Sequence, residues 1–234
     1  MTRRVAQLAP EVAARSIRAT AALEGADVSL AAVRSGAAID GSPMGSVVGA
    51  ARAMYSELNA LTAVHRTAPL QAWARLAAIA GAQFLPADEV GRPRTHDTPD
   101  DPLRLGPLPP AATVPVRLEQ LGRIALESTA PAVIVSAVVH AELLVLRPFG
   151  FGNGLVARAA ARLVLASRGV DENFLSVPES GVLSAGRPLY VSSVRDFGTG
   201  DPVGVARWIV FWCAALHEGG RETIAVSQEL TDAE

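Results

Sequence analysis

The sequence predicts an all-α protein, a helical bundle around a central pair of buried helices. Apolar residues recur at helical spacing along almost the whole chain, and almost no segment alternates as a half-buried strand would. One segment, Ala130–Leu146, is apolar on every face, which suits a helix surrounded by others. A glycine-rich connection follows it and leads into a second helical pattern, Asn153 to Ser167. With 234 residues, 50% of them hydrophobic and 19% charged, the chain can bury one substantial core. No internal repeat is visible.

The elements follow in order. Glu11 to Gly25 reads as an amphipathic helix carried by Val12, Ile17, Ala21 and Leu23 and stopped by Gly25. Ala26 to Ser46 is rich in Ala, Gly, Ser and Asp, and predicts a loop with at most a short helix. Val47 to Leu61 and Pro69 to Ala82 recover helical spacing. Phe84 to Val114 holds Pro86, Pro93, Pro99, Pro102, Pro107, Pro109 and Pro110, which exclude a long helix and leave a long loop or hairpin. Val116 to Glu127 is helical, and Thr129-Ala130-Pro131 supplies a hydroxyl cap and a first-turn proline for the buried helix to Leu146. Gly169 ends the Asn153 helix, and Leu183 to Val194 and Val203 to His217 give two more. From Ala225 the chain is polar and reads as a frayed tail. The domain plan is an N-terminal helix and linker over 1–45, a core domain over 46–218 and a polar tail over 219–234.

Composition excludes several function classes. The net charge of -2 is spread among interspersed Arg, Asp and Glu, with no patch for nucleic acid or an anionic membrane. The single cysteine, Cys213, permits neither a disulfide nor a thiolate zinc site and reads as a small buried hydrophobe. Ala130–Leu146 contains Ser136, His140 and Glu142 and is short for a membrane span, so a core helix is expected. Met1 to Pro10 is not followed by an uninterrupted apolar run, so a cytoplasmic location is expected. His140 and Glu142, two residues apart, point to different faces and cannot form a helical metal pair. Trp208, Phe211 and Trp212 sit at core spacing, and Ser180 and Ser184 have no local histidine and acid for a triad.

The chemistry concentrates at Arg147-Pro148-Phe149-Gly150-Phe151-Gly152-Asn153-Gly154. Glycines here can turn backbone N–H groups toward one point, and the start of a helix adds a positive dipole, which together suit an anion. Arg158 lies about one helical turn further and could reach the same anion, or could simply be solvated. Arg147 could bind a phosphate or pair with an acid.

This stretch resembles the motif of the Fic family, H-x-F-x-(D/E)-G-N-G-R-x-x-R, as R-P-F-G-F-G-N-G-L-V-A-R over 147–158. Phe149, Gly152, Asn153, Gly154 and Arg158 match it; Gly169, Tyr190 and Gly200-Asp201 look like its downstream pattern, so the resemblance covers roughly 47–217. It implies a Fic fold with a short β-hairpin flap in the proline-rich region. It also implies an anion or nucleotide site at Gly152, Asn153, Gly154 and Arg158 with Arg147 beside it, and ATP or another nucleotide as ligand. A protein partner would meet the 84–114 region, and a homodimer is a further expectation.

The departures bear on activity. The family's general base is histidine, and Arg147, which stays protonated at physiological pH, takes that place. The family's acidic residue helps hold magnesium, and Phe151 offers no oxygen to a hard cation. The first motif arginine is Leu155. Upstream, Thr20-Ala21-Ala22-Leu23-Glu24-Gly25 is similar to the (S/T)-x-x-x-E-(G/N) inhibitory motif of many Fic proteins and implies that Glu24 pairs with Arg158.

Three readings follow. The first is a Fic-fold pseudoenzyme acting as a regulatory or binding module, its flap taking up a peptide by strand addition. The second is a divergent transferase placing a nucleotide or phosphate on a protein hydroxyl. The third is an NAD(P)-binding oxidoreductase, since Gly150 to Gly154 and Asp171 imitate a dinucleotide fingerprint, although the chain lacks the strand-helix alternation of a parallel sheet.

Overall fold

A computed structural model describes residues 3–232 and shows ten α-helices among them, with no strand. They are α1 (Arg3–Leu23), α2 (Leu30–Ser35), α3 (Pro43–His65), α4 (Pro69–Gly81), α5 (Val114–Glu127), α6 (Ala132–Leu146), α7 (Asn153–Ser167), α8 (Pro178–Ala185), α9 (Arg187–Gly198) and α10 (Pro202–Asp232). A 3-10 turn, Ala111–Thr113, precedes α5.

The central pair is α6 and α7. Every residue of α7 from Asn153 to Ala166 is buried, because it serves two cores at once. Ala157, Ala160, Ala161 and Val164 pack into a cluster with α5, α6, α9 and α10, and Leu155, Val156, Ala159 and Leu163 into a second with α1, α3 and α4. The alanines let neighbouring helices approach closely, and the leucines fill the remaining volume at roughly 1.5–3 kcal/mol for each fully buried side chain. Trp208 and Trp212 are buried against α6, their indole N–H groups donating to the Ala137 carbonyl at 2.8 Å and the Ser136 hydroxyl at 3.1 Å.

Several expectations need correction. The segment read as one helix over 183–194 is two, because Gly186 at φ 92° breaks it and becomes the N-cap of α9. The first helix begins at Arg3 and contains Pro10. Thr129 does not cap α6; Pro131 stands at the N-cap with no side-chain cap bond, and Arg168 donates to the carbonyls of Ala125 in α5 and of Ser128 and Ala130 between α5 and α6. The polar tail is helical to Asp232: Gly219 lets α10 pass against Val177 and Pro178, Val226 is buried, and Arg15 of α1 pairs with Glu222 at 3.1 Å. Cys213 is exposed, since the buried face of α10 runs through Trp208, Phe211, Trp212 and Ala215.

The β-hairpin is also absent. Residues 82–110 form an irregular strap of turns. Its prolines have no N–H to give a ladder, and its carbonyls accept from arginines instead: Pro109 from Arg94, Pro107 from Arg147, Pro102 from Arg187 and Leu105 from Arg195. Leu103 and Leu105 plug it into the core. Among the described residues no helix is long and apolar enough to cross a membrane.

Two histidines are buried neutral. His65, 2% exposed, meets the Ser167 hydroxyl at 3.1 Å through Nδ1, and burial, helped by the charge of Arg168, pushes its pKa from 6.5 to about 4. His140 is pushed well below its ordinary value by burial and then by Arg158. Between pH 6.5 and 4 the unfolded state binds a proton that folded His65 refuses, so stability falls as pH drops through that window. The stability difference between pH 7 and pH 5, measured by chemical denaturation, is therefore expected to shrink by about 2 kcal/mol in His65→Gln.

Candidate functional site

The site is built where α6 ends and α7 begins. Arg147 closes α6 in the left-handed region, φ 45°, and its N–H bonds the Leu143 carbonyl at 3.0 Å. For a non-glycine residue that conformation is unfavourable, and its side chain contacts hold it in place. The loop then turns through Gly152 at φ 72°, where a Cβ would lie 2.9 Å from that of Ala80. Asn153 spends its side-chain amide on the loop itself: Oδ1 accepts from the Phe149 N–H at 2.9 Å and Nδ2 donates to the Phe149 carbonyl at 2.8 Å. Its part is to brace the turn.

Arg158 is fully buried one turn into α7. Nε donates to the Thr20 hydroxyl at 2.7 Å, and one terminal nitrogen donates to the Thr20 carbonyl at 3.2 Å and the Glu24 carboxylate at 2.6 Å. The other reaches the Tyr190 hydroxyl at 3.5 Å, which itself meets His140 Nε2 at 2.7 Å. Burial works against the guanidinium's charge, but Glu24 outweighs it, and the pKa of Arg158 lies above its ordinary value. Burial likewise raises Tyr190, to about 12.

The Glu24 carboxylate also lies against the loop: a Cβ on Gly154 would collide with it. The first N–H groups of α7 have no carbonyl within their own helix. Glu24 therefore occupies the place where Arg158 and the α7 N-terminus would together hold an anion. The Glu24–Arg158 pair implied by the resemblance is present.

Arg147 is only 2% exposed, and its guanidinium is committed to the strap. It donates to Asp101 at 2.7 Å, the Pro107 carbonyl at 2.6 Å and the Gly106 carbonyl at 3.2 Å. Of the two roles open to it in sequence, the acid pairing is the one realised. Asp101 in addition accepts from the Leu105 N–H at 2.9 Å, so one carboxylate fixes both the turn and the arginine. Arg94, also buried, ties the strap to the loop from the other side through the Arg147 carbonyl at 2.8 Å and Asp97 at 2.8 Å. Phe151 stacks on Phe84 with ring centroids 3.8 Å apart, and Leu155 is buried in the core. Neither carries an oxygen for magnesium, and among the described residues no His, Cys, Asp and Glu group could hold a metal ion.

Two features were not foreseen. Arg162, four residues after Arg158, is buried and donates to the Ser16 hydroxyl at 2.8 Å, the Ser176 carbonyl at 2.7 Å and the Glu179 carboxylate at 3.4 Å. Tyr55 donates to the same carboxylate at 2.5 Å. The i, i+4 spacing of Arg158 and Arg162 on a buried helix, opposite Ser16 and Thr20 on α1 and Glu24 just past its end, was the available signal. The second is Asp100, whose N–H donates to the Gly150 carbonyl at 2.9 Å and whose carboxyl is raised by partial burial and by nearby Glu24 and Asp101. Asp171, offered as a ribose partner, instead caps Leu175 and Ser176 and pairs with Arg162 at 3.6 Å; with no strand among the described residues, the dinucleotide-binding reading fails.

No family model and no curated protein matches the sequence. Solved structures do. A Fic family protein from Desulfovibrio desulfuricans G20 superposes with a TM-score of 0.74 and 19% identity over 97% of this chain and 75% of that one. Fic-1 from C. elegans gives 0.67 and 21% over 91% of this chain and 62% of that one. A glutamate-to-glycine variant of the same protein gives 0.66 and 21% over 92% and 64%. The chain therefore has the Fic fold, and it spans less than two thirds of the C. elegans chains.

Two substitutions test these networks. Arg162→Met strands Glu179 in the core and is expected to cost about 3–5 kcal/mol in denaturant unfolding. Arg147→His removes the donors of Asp101 and two strap carbonyls; hydrogen exchange over 101–107 is expected to quicken, with about 1–3 kcal/mol lost locally.

Proposed function

We propose that this chain is a regulatory or binding module on the Fic fold, a pseudoenzyme for adenylyl transfer whose residual anion site is closed by its own N-terminal helix. The observation that carries the reading is Arg147. At the place where the motif needs a proton acceptor stands a buried cation held by Asp101 and two carbonyls, and arginine cannot accept a proton at physiological pH. Losing a general base alone costs ~10²- to 10⁴-fold. With Phe151 and Leu155 in place of a magnesium ligand and a phosphate clamp, little remains to neutralise a transferring phosphoryl group.

The inhibitory role of α1 rests on Glu24, which supplies to Arg158 the negative charge a phosphate would bring. A nucleotide fits the loop only once Glu24 has left it. A protein partner would meet the outer face of the 84–114 region. Strand addition is not part of the reading, because arginines already hold many of the strap's carbonyls.

Asp100 favours the transferase as a second reading. It is a carboxyl of raised pKa hung beside the glycine loop, the kind of group that could take over proton abstraction.

Calorimetric titration of ATP, with and without magnesium, into the wild type and Glu24→Gly, followed by incubation with labelled ATP, tests the proposal. Expected are no saturable binding in the wild type, binding in Glu24→Gly that magnesium changes little, and no label on protein. Label transfer would overturn the pseudoenzyme reading, and its loss in Asp100→Asn would assign the base. Absence of binding in both proteins would remove the nucleotide site and leave the interaction role.

A further inference from the structure

A cavity of about 550 Å³ lies between the strap, α9 and the end of α6, where Arg147 borders it. Its walls include Leu105, Val145 and Val194, the hydroxyl-bearing Thr199, and two arginines, Arg147 and Arg195. No acidic residue lines it. The volume falls within the range of small-molecule sites, and apolar walls with a few polar groups are their usual composition.

The two cations differ in how they are satisfied. Arg147 has Asp101 as a counter-charge. Its Nε is buried and bonds nothing. Arg195 is exposed at the rim of the strap and donates to the Leu105 carbonyl at 3.2 Å and to the Arg104 carbonyl. Carbonyls satisfy its geometry but leave its charge uncompensated, and among the described residues no carboxylate pairs with it. The cavity thus combines one uncompensated guanidinium at the mouth, a second guanidinium in the wall and an aliphatic lining.

We infer that this cavity binds a small organic carboxylate with an aliphatic tail. The carboxylate meets the Arg195 guanidinium; the tail lies against Val145, Val194 and Leu105. A single uncompensated charge suits a monoanion better than a phosphate dianion, and the aliphatic walls reward a tail that an inorganic anion lacks. Because Arg195 and Arg147 both hold the strap, the bound ligand also fastens residues 104–107. The inference is independent of whether a nucleotide binds at Arg158.

Hexanoate is the probe, with hexan-1-ol, hexylamine and inorganic phosphate as comparisons, titrated into the wild-type protein and Arg195→Gln and followed by ligand-observed NMR and by hydrogen exchange over 101–110. Expected are saturable hexanoate binding, slower exchange in the strap, at least about tenfold weaker binding of the alcohol and the amine, and a similar loss in Arg195→Gln. Equal binding of hexan-1-ol would reduce the cavity to an apolar hollow, and tighter binding of phosphate would make it an inorganic anion site; either overturns the inference. Unchanged hexanoate affinity in Arg195→Gln does so as well. The comparison among ligands on the wild type decides the matter even where the variant folds poorly.

Discussion

Two guanidinium groups, those of Arg158 and Arg162, sit in the middle of the most buried helix of the protein, at 0% and 1% exposure. Taking such groups out of water costs several kcal/mol each unless hydrogen bonds and counter-charges replace the lost solvation. The replacement comes from Ser16 and Thr20 on α1 and Glu24 just past its end, at four-residue intervals opposite the two arginines, and from Glu179 and the 174–176 carbonyls. The N-terminal helix is therefore a wall of the core. The contact of Glu24 with Arg158 is the last rung of a ladder that begins at Ser16.

Glu24 is one contact among several: Arg158 also holds Thr20 and Tyr190, and Arg162 holds Ser16 and Glu179. Tyr190 joins Arg158 to neutral His140, so the cation's environment is fixed on the side away from the loop as well. The residues at 147, 151 and 155 each have a structural part. Arg147 fastens the strap, Phe151 stacks on Phe84, and Leu155 fills core volume.

The strap shows the same preference for tethering over regular structure. A hairpin would have used its carbonyls in a ladder; seven prolines between 86 and 110 remove the donors such a ladder needs. Arginines on α6, α9 and the strap itself supply donors instead, and Leu103 and Leu105 anchor the whole to the core. Arg147, Arg195, Val145 and Val194 wall the cavity under this segment.

Local patterns determined much by themselves. Helical periodicity gave the all-α class and the central pair α6 and α7; Gly25 and Gly169 marked helix ends, and the tryptophan spacing on α10 marked the core. The Gly-rich turn before Asn153 marked the loop between α6 and α7; the Glu24–Arg158 pair came from the family resemblance and not from spacing. These signals are legible because they lie within one or two helical turns. Tertiary structure decided the rest. Gly219 supports close packing and does not end α10, whereas Gly186 ends a helix that periodicity alone would have continued. Cys213 faces out although its neighbours are core, Asn153 turns inward to brace the loop, and Arg162 and Glu179 form a buried pair seventeen residues apart. The choice of Arg147 between a phosphate and an acid went to Asp101, forty-six positions away. The physical reason is common to all of these: whether a polar group or a glycine is free depends on what another element places opposite it, and spacing within one segment carries no record of that.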